Sequence, residues 1–237
     1  MTRVLTSCLC CGGSLVPLID FGPMPLANTY DVHERFALAV NLCTQCFHMQ
    51  LSESVDPEIL FHEYTYFSGT SKTALKFFDD FADMALQYVP RAGAALDIAC
   101  NDGTQLDAFK KRGLLTYGVD PADNLARLAA SKGHVVTKAL FEDCPEMNMT
   151  LRGNIILTAQ NVIAHTPRPL KFLKACAGIM MEDARLFVTC SQANLISMGQ
   201  CDTIYHEHVS YFNTFSMMKL INRAGLMLVD LLLNPIH

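Results

Sequence analysis

A chain of 237 residues that is 51% hydrophobic can bury one substantial core and a small second module, and is too long for a bare binding motif. Its formal net charge of −5, with no basic cluster longer than Lys110-Lys111-Arg112, argues against a nucleic-acid partner and favours a small-molecule acceptor. No apolar run approaches a membrane span, and the start, Met1 to Cys8, lacks the long apolar core of a signal peptide, so the expectation is a cytoplasmic protein without a membrane partner.

In that compartment ten cysteines are not expected to form disulfides; clustered ones point to a metal and scattered ones to small core residues. The pairs Cys8-x2-Cys11 and Cys43-x2-Cys46 lie in a turn-rich stretch with Gly12-Gly13 and Gly22-Pro23-Met24-Pro25 between them. Each pair can place two thiolates on one tight knuckle, and together they supply the four soft ligands of a closed tetrahedral zinc site. A closed site leaves no position for water, so the zinc is expected to be structural, with Cys10 a bystander. A zinc-binding domain is predicted over residues 1–55.

Residues 56–90 read as a helical lid or linker. Asp56-Pro57-Glu58 is an N-cap followed by proline at the first helical position. Leu75, Phe78, Ala82, Ala85 and Leu86 recur at helical spacing before Pro90.

Residues 91–237 alternate between apolar runs and helical periodicity. Strands are predicted near 94–99, 115–119, 134–137, 154–159, 185–190 and 226–232, the pattern of a doubly wound α/β domain. The first strand ends Asp97-Ile98-Ala99-Cys100-Asn101-Asp102-Gly103 and the second Gly118-Val119-Asp120. Acidic strand ends about twenty residues apart frame a nucleoside pocket at the carboxyl edge of a parallel sheet, the second carboxylate holding ribose hydroxyls. A dinucleotide's pyrophosphate needs three glycines, whereas this turn has one, Gly103. S-adenosylmethionine carries ribose and adenine without phosphate, and is the predicted cofactor. The Ala99 to Gly103 turn should pass under its methionine end, with Phe141 near the adenine.

Two further clusters could carry chemistry. After the fourth strand, Gln160 or Asn161 could bond the cofactor's amino acid or the acceptor, and His165 could face the reacting centre; Thr166-Pro167 also reads as a helix entry. After the fifth strand comes Tyr205-His206-Glu207-His208. Two imidazoles, a carboxylate and a phenol in succession need a polar pocket. An extended backbone would send Tyr205 and Glu207 one way and the histidines the other, whereas a turn lets them converge. A histidine titrating near neutrality, beside a carboxylate, suits proton abstraction next to a carbonyl.

At these residues the chain resembles the C-methyltransferases of nucleotide-linked deoxysugars. The likeness runs through Cys8-x2-Cys11-Gly12, Phe21-Gly22-x-Met24-Pro25-Leu26-Ala27-Asn28, Cys43-x2-Cys46, Tyr64-x-Tyr66-x-Ser68, Asp97-Ile98-x2-Asn101-Asp102-Gly103, Gly118-Val119-Asp120-Pro121 and Ile204-Tyr205-His206-Glu207-His208. The resemblance implies a Rossmann-like class I methyltransferase sheet with a small N-terminal zinc-binding domain. It implies S-adenosylmethionine contacts from Tyr66, Ser68, Asp97, Ala99, Asn101, Gly103, Asp120, Pro121, Asn124, Phe141, Gln160 and Asn161. It also implies His208 as the base, with Tyr205, Glu207 and His165 near the acceptor and Tyr64 or Tyr66 closing over the site.

Such enzymes continue into a further α/β domain that holds much of the sugar nucleotide, so a C-terminally truncated member is expected here. Its sixth strand, near 226–232, would then expose an apolar edge open to self-association. The segment Cys190-Ser191-Gln192-Ala193-Asn194 differs from the deoxysugar enzymes, which leaves the acceptor open. The alternatives are a non-catalytic cofactor-binding scaffold and a small-molecule methyltransferase with another acceptor; a zinc-bearing RNA methyltransferase is disfavoured by the acidic balance.

Overall fold

Buried on both faces, Ala94-Ala95-Leu96-Asp97-Ile98 can only be the centre of a covered parallel sheet. A computed structural model describes residues 2–27, 33–61, 64–144, 155–190, 193–194 and 198–232, and in it this run is strand β6 (Ala94–Ile98). The expectations for Asn28, Asn154 and Ser191-Gln192 lie outside the described residues. The backbone groups into two units, one of Met1–Leu60, Ile163–Lys174 and Cys190–Leu231, the other of Phe61–Val162, Ala175–Thr189 and Leu232–His237.

In the second unit β6 is flanked by β7 (Leu115–Asp120) and β9 (Ile155–Gln160), with β8 (Val135–Lys138) and β10 (Arg185–Thr189) outside them, all pairs parallel. The order β10-β9-β6-β7-β8 winds outward through β8, then restarts beside β6. The switch point therefore falls between β6 and β9, where the carboxyl ends of such sheets bind ligands. Helix α2 (Lys72–Tyr88), capped by the Ser71 hydroxyl on the Ala74 N–H, and α3 (Thr104–Lys111) bury Phe81, Ala85, Phe109 and Leu114 against Ala95 and Ile156. Helix α4 (Asp123–Ser131) follows β7.

The first unit holds β1 (Thr2–Val4) paired with β5 (Glu53–Val55), and an antiparallel sheet of order β11-β4-β3-β2. Strands β2 (Leu15–Met24), β3 (Phe36–Cys43), β4 (Met49–Leu51) and β11 (Ser210–Tyr211) pack Leu38, Val40, Leu51 and Tyr211 with Ile204. The short helix α1 (Pro57–Phe61) begins on Pro57 as its sequence requires. Helix α5 (Pro169–Ile179), which links β9 to β10, starts two residues later than Thr166-Pro167 implied. Thr166 Oγ1 accepts from the Arg168 N–H at 3.1 Å instead.

One expectation is corrected. Residues 226–232 form no strand: a strand needs a ladder partner, and among the described residues none pairs with this run, so Met227, Val229 and Leu231 stand 80%, 60% and 61% exposed. By compactness, residues 163–174 and 190–231 group with the cysteine-bearing segment. Helix α6 (Thr214–Arg223) shows why: Asn213 at its start donates Nδ2 to Phe47 O at 2.7 Å, and Arg223 at its end donates to the Cys10 carbonyl.

Candidate functional site

Between β6 and α3 the chain turns through three left-handed residues, Ala99 at φ 56°, Asn101 at φ 52° and Gly103 at φ 77°. A single glycine does not mean an ordinary turn: the backbone takes a glycine-rich path with alanine and asparagine in two of the positive-φ places. Each such residue costs about 1–2 kcal/mol, and strain of this kind collects at functional sites. Gly103 has no alternative, because a Cβ there would lie 2.9 Å from His134 Cδ2 and 3.1 Å from Ala129 Cβ. Gly103→Ala is expected to cost about 2 kcal/mol, from φ strain and overpacking together, read as a lower midpoint in urea unfolding.

Two acidic groups flank this turn. Asp120 Oδ2 accepts the Asn101 N–H at 2.8 Å and Oδ1 the Ala122 N–H at 2.8 Å; burial raises its carboxyl against the pull of those bonds. Each oxygen keeps a further lone pair for a ribose hydroxyl. Asp97 lies deeper. Its Oδ1 accepts from Thr158 Oγ1 at 2.6 Å and Gln105 Nε2 at 2.9 Å, and burial pushes its carboxyl up to about 7.

The other expected cofactor residues divide. Phe141 is buried just after β8, and Pro121 follows Asp120 directly. Gln160 ends β9 with Oε1 accepting from Thr189 Oγ1, while its buried Nε2 has no partner among the described residues. Exposed Asn161, at φ 55°, donates its N–H to Thr189 O at 2.9 Å. Asn101 and Asn124 spend their carboxamides on the backbone of Tyr64, Tyr66, Ser68 and Asp102. Tyr66 carries its ring 60% exposed.

In the other unit, residues 205–208 form a turn, closed by His208 N–H to Tyr205 O at 3.0 Å. The turn lets Tyr205 and His208 converge, with Tyr205 Oη 3.2 Å from His208 Nε2. His208 Nδ1 lies 2.9 Å from Thr203 O. A carbonyl can only accept, so the Nδ1 position carries the proton and Nε2 keeps its lone pair. Burial, with the charge of buried Glu207 adding to it, pushes the Tyr205 phenol up to about 12, so it stays a donor to Nε2. The His165 ring packs edge-on at 4.8 Å from His208. His206 is turned away, its Nε2 3.2 Å from Phe36 O and its ring against Phe36.

Burial pushes His165 down to about 3 and the neighbouring His208 adds to this, while a hydrogen bond to the Glu207 backbone works against it. Unfolded, the group titrates near 6.5, so its stabilising share is full above that pH and drains as pH falls toward about 3. Asp97 acts oppositely over much of the window, since its raised pKa makes the folded state hold the proton between about 4 and 7. The two are separated by a difference: from pH 7 to 5, His165→Asn should gain about 2 kcal/mol relative to wild type, read by urea unfolding at both values.

At the knuckles, Cys8, Cys11, Cys43 and Cys46 bring their Sγ atoms within 4.8 Å of one another, with Cys8–Cys46 and Cys11–Cys43 at 3.5 Å. Four thiolates around zinc at about 2.3 Å stand about 3.8 Å apart, so the residues fit a closed zinc centre. Backbone N–H groups of Gly13 and Gln45 point at Cys11 and Cys43 Sγ at 3.3 and 3.4 Å. Cys10, buried, stays outside the four. The sequence reading missed the supports: Gln50 accepts the Leu9 N–H at 2.8 Å and donates to Ser7 O at 3.2 Å, and Asn213 and Arg223 hold the knuckle backbones. Asn213 was legible, since Asn213-x2-Ser216 forms a capping box.

A parallel sheet of this order, with acidic strand ends around a strained turn and a four-thiolate module, defines a Rossmann-like S-adenosylmethionine-dependent methyltransferase fold with a zinc-binding domain. Residues 71–231 match the family described as a methyltransferase domain, and the chain belongs to that family. Residues 8–61 match one described as a zinc binding domain. The C-methyltransferase NovU of Streptomyces niveus is 27% identical over 250 residues, covering 100% of this chain and 60% of that protein. A ubiquinone biosynthesis O-methyltransferase of Coxiella burnetii is 20% identical over 150 residues, covering 57% of this chain and 64% of that protein. The chain thus spans less than two thirds of these relatives. A SAM-dependent methyltransferase from Archaeoglobus fulgidus matches with a TM-score of 0.52 at 18% identity, covering 64% of this chain and 68% of that one, a likeness of fold alone. The cofactor of the fold is S-adenosylmethionine and the metal is zinc. Among the described residues no helix is long and apolar enough to cross a membrane.

Proposed function

We propose that this chain methylates a carbon next to a keto group, on a nucleotide-linked sugar or a similar small molecule, in the cytoplasm and without a nucleic-acid or membrane partner. The observation that carries the reading is His208, whose Nδ1 is engaged by Thr203 O while Nε2 keeps a lone pair 3.2 Å from a phenol. A neutral imidazole so oriented is a proton acceptor, as general-base catalysis needs. The 27% identity to a C-methyltransferase along the whole chain favours carbon over oxygen as the methylated atom.

When bound, S-adenosylmethionine supplies an electrophilic methyl on a sulfonium. His208 Nε2 removes the acceptor's α-proton, and the C–H electron pair passes into the carbonyl as an enolate. Bound S-adenosylmethionine would then give its methyl to the enolate carbon, the C–S bond pair leaving on the thioether. Tyr205, displaced from Nε2 by the acceptor, is a donor for the enolate oxygen. Glu207 and His165 line the cluster and His165 remains neutral, so a second positive charge does not oppose the imidazolium that forms. Asp120 would hold the ribose: losing that contact costs on the order of 2 kcal/mol or more, so Asp120→Ala should bind S-adenosylmethionine at least about thirtyfold more weakly by calorimetry. Equal affinity would remove the assignment.

The reaction is tested by incubating the protein with methyl-labelled cofactor and a panel of 4-keto sugar nucleotides. A product with label on the α-carbon is expected; label on oxygen alone would contradict the reading.

A further inference from the structure

Among the described residues, five hydrogen bonds fasten residues 64–69 to the ends of β6 and β7, and in each the segment offers only backbone while its partner is a side chain. Asn124, four residues beyond Asp120, accepts the Tyr64 N–H on Oδ1 at 3.3 Å and donates Nδ2 to Tyr64 O at 2.8 Å. Asn101 donates Nδ2 to Tyr66 O at 2.9 Å and accepts the Ser68 N–H on Oδ1 at 3.1 Å. Asp102 Oδ2 accepts the Gly69 N–H at 3.0 Å. Gly69 is required for this approach, because a Cβ there would lie 2.7 Å from both Asp102 Oδ2 and Thr104 Oγ1.

Asn124 stands just past the carboxyl end of β7 and Asn101-Asp102 just past that of β6, so the segment bridges the two strand ends that frame the nucleoside pocket. It is a strap that ties the two strand ends together through its backbone. The same bonds account for asparagine at position 101. A left-handed φ of 52° suits glycine best and asparagine next, but only asparagine can place a carboxamide under the strap.

We propose that Asn101 and Asn124 are positioning residues that latch this strap over the cofactor, so that release of S-adenosylhomocysteine requires the latch to open. This rests on reading the pocket as an S-adenosylmethionine site. It follows that a turn residue expected to touch the cofactor acts through the strap instead, and that cofactor exchange and strap mobility are one process.

Asn101→Gly is the clean test, since glycine keeps the left-handed turn and removes only the carboxamide; Asn124→Ala, on α4, is the second. In cofactor-free protein, amide hydrogen exchange should rise about tenfold at Ser68 in Asn101→Gly and at Tyr64 in Asn124→Ala, the scale of one lost hydrogen bond, with global stability unchanged or higher for the glycine variant. Stopped-flow dissociation of S-adenosylhomocysteine should quicken by about the same factor in both. Wild-type protection of those amides, or faster exchange with an unchanged dissociation rate, would overturn the latch. A wild-type chain that binds no S-adenosylhomocysteine would instead refute the pocket reading, and the release step with it.

Discussion

His208→Asn is expected to lower methyl transfer by about three orders of magnitude while leaving S-adenosylmethionine affinity unchanged, since a positioned general base contributes about 10²–10⁴ in rate. Asparagine keeps a donor where Nδ1 meets Thr203 O but offers no lone pair at Nε2, so the fold of the 205–208 turn survives and the base does not. Cofactor affinity should be untouched, because the residues expected to hold the cofactor belong to the other compact unit. The proton makes the sharper probe. If the variant exchanged the acceptor's α-proton with solvent at the wild-type rate, the base would have to be sought at His165, whose ring lies beside His208; His206, turned to Phe36 O, is not a substitute.

The second large effect is expected at the metal. Cys43→Ser should release zinc and unfold the unit that carries it, because zinc bound by such a module contributes about 10–16 kcal/mol of apparent binding free energy that is also folding free energy. Without the ion, Cys43 and Cys46 would crowd Cys8 and Cys11 at 3.5 Å with nothing to hold them there. The loss should spread along the bonds that tie α6 and Gln50 to the knuckles, and so reach the 205–208 turn of the same unit. Activity should fall with folding. Metal analysis checks this: full, tight zinc occupancy after Cys43→Ser would remove Cys43 from the ligand set, and Cys10→Ser should retain the ion.

Local signals were legible where one short stretch determines the outcome. The five strands of the parallel sheet were read to within a residue or two because each is an apolar run closed by a turn, and the knuckles because Cys-x2-Cys spacing is a local constraint. The turn after β6 was placed correctly but not its shape. Positive φ at Ala99 and Asn101 is imposed by Asp120 gripping the Asn101 N–H from the neighbouring strand, a contact without a local trace. For the same reason the apolar run at 226–232 misled: alternation of Leu and Val describes what a strand needs, not whether a partner exists. Asn124 could be read as a cofactor contact by position alone, whereas its pairing with Tyr64 spans 60 residues. The 205–208 cluster was legible as a set of residue types, and its geometry only once the turn set Tyr205 against His208 and sent His206 the other way.

In the proposed mechanism a histidine base opens an acceptor carbon before the methyl arrives. That step is tested most directly by incubating the protein in deuterated solvent with S-adenosylhomocysteine and a 4-keto sugar nucleotide, and following the α-proton by nuclear magnetic resonance. Protein-dependent exchange of that proton is expected without any methyl donor, and its loss in His208→Asn. Methyl transfer from S-adenosylmethionine to the same acceptor with no α-proton exchange and no carbon-bound label would contradict it.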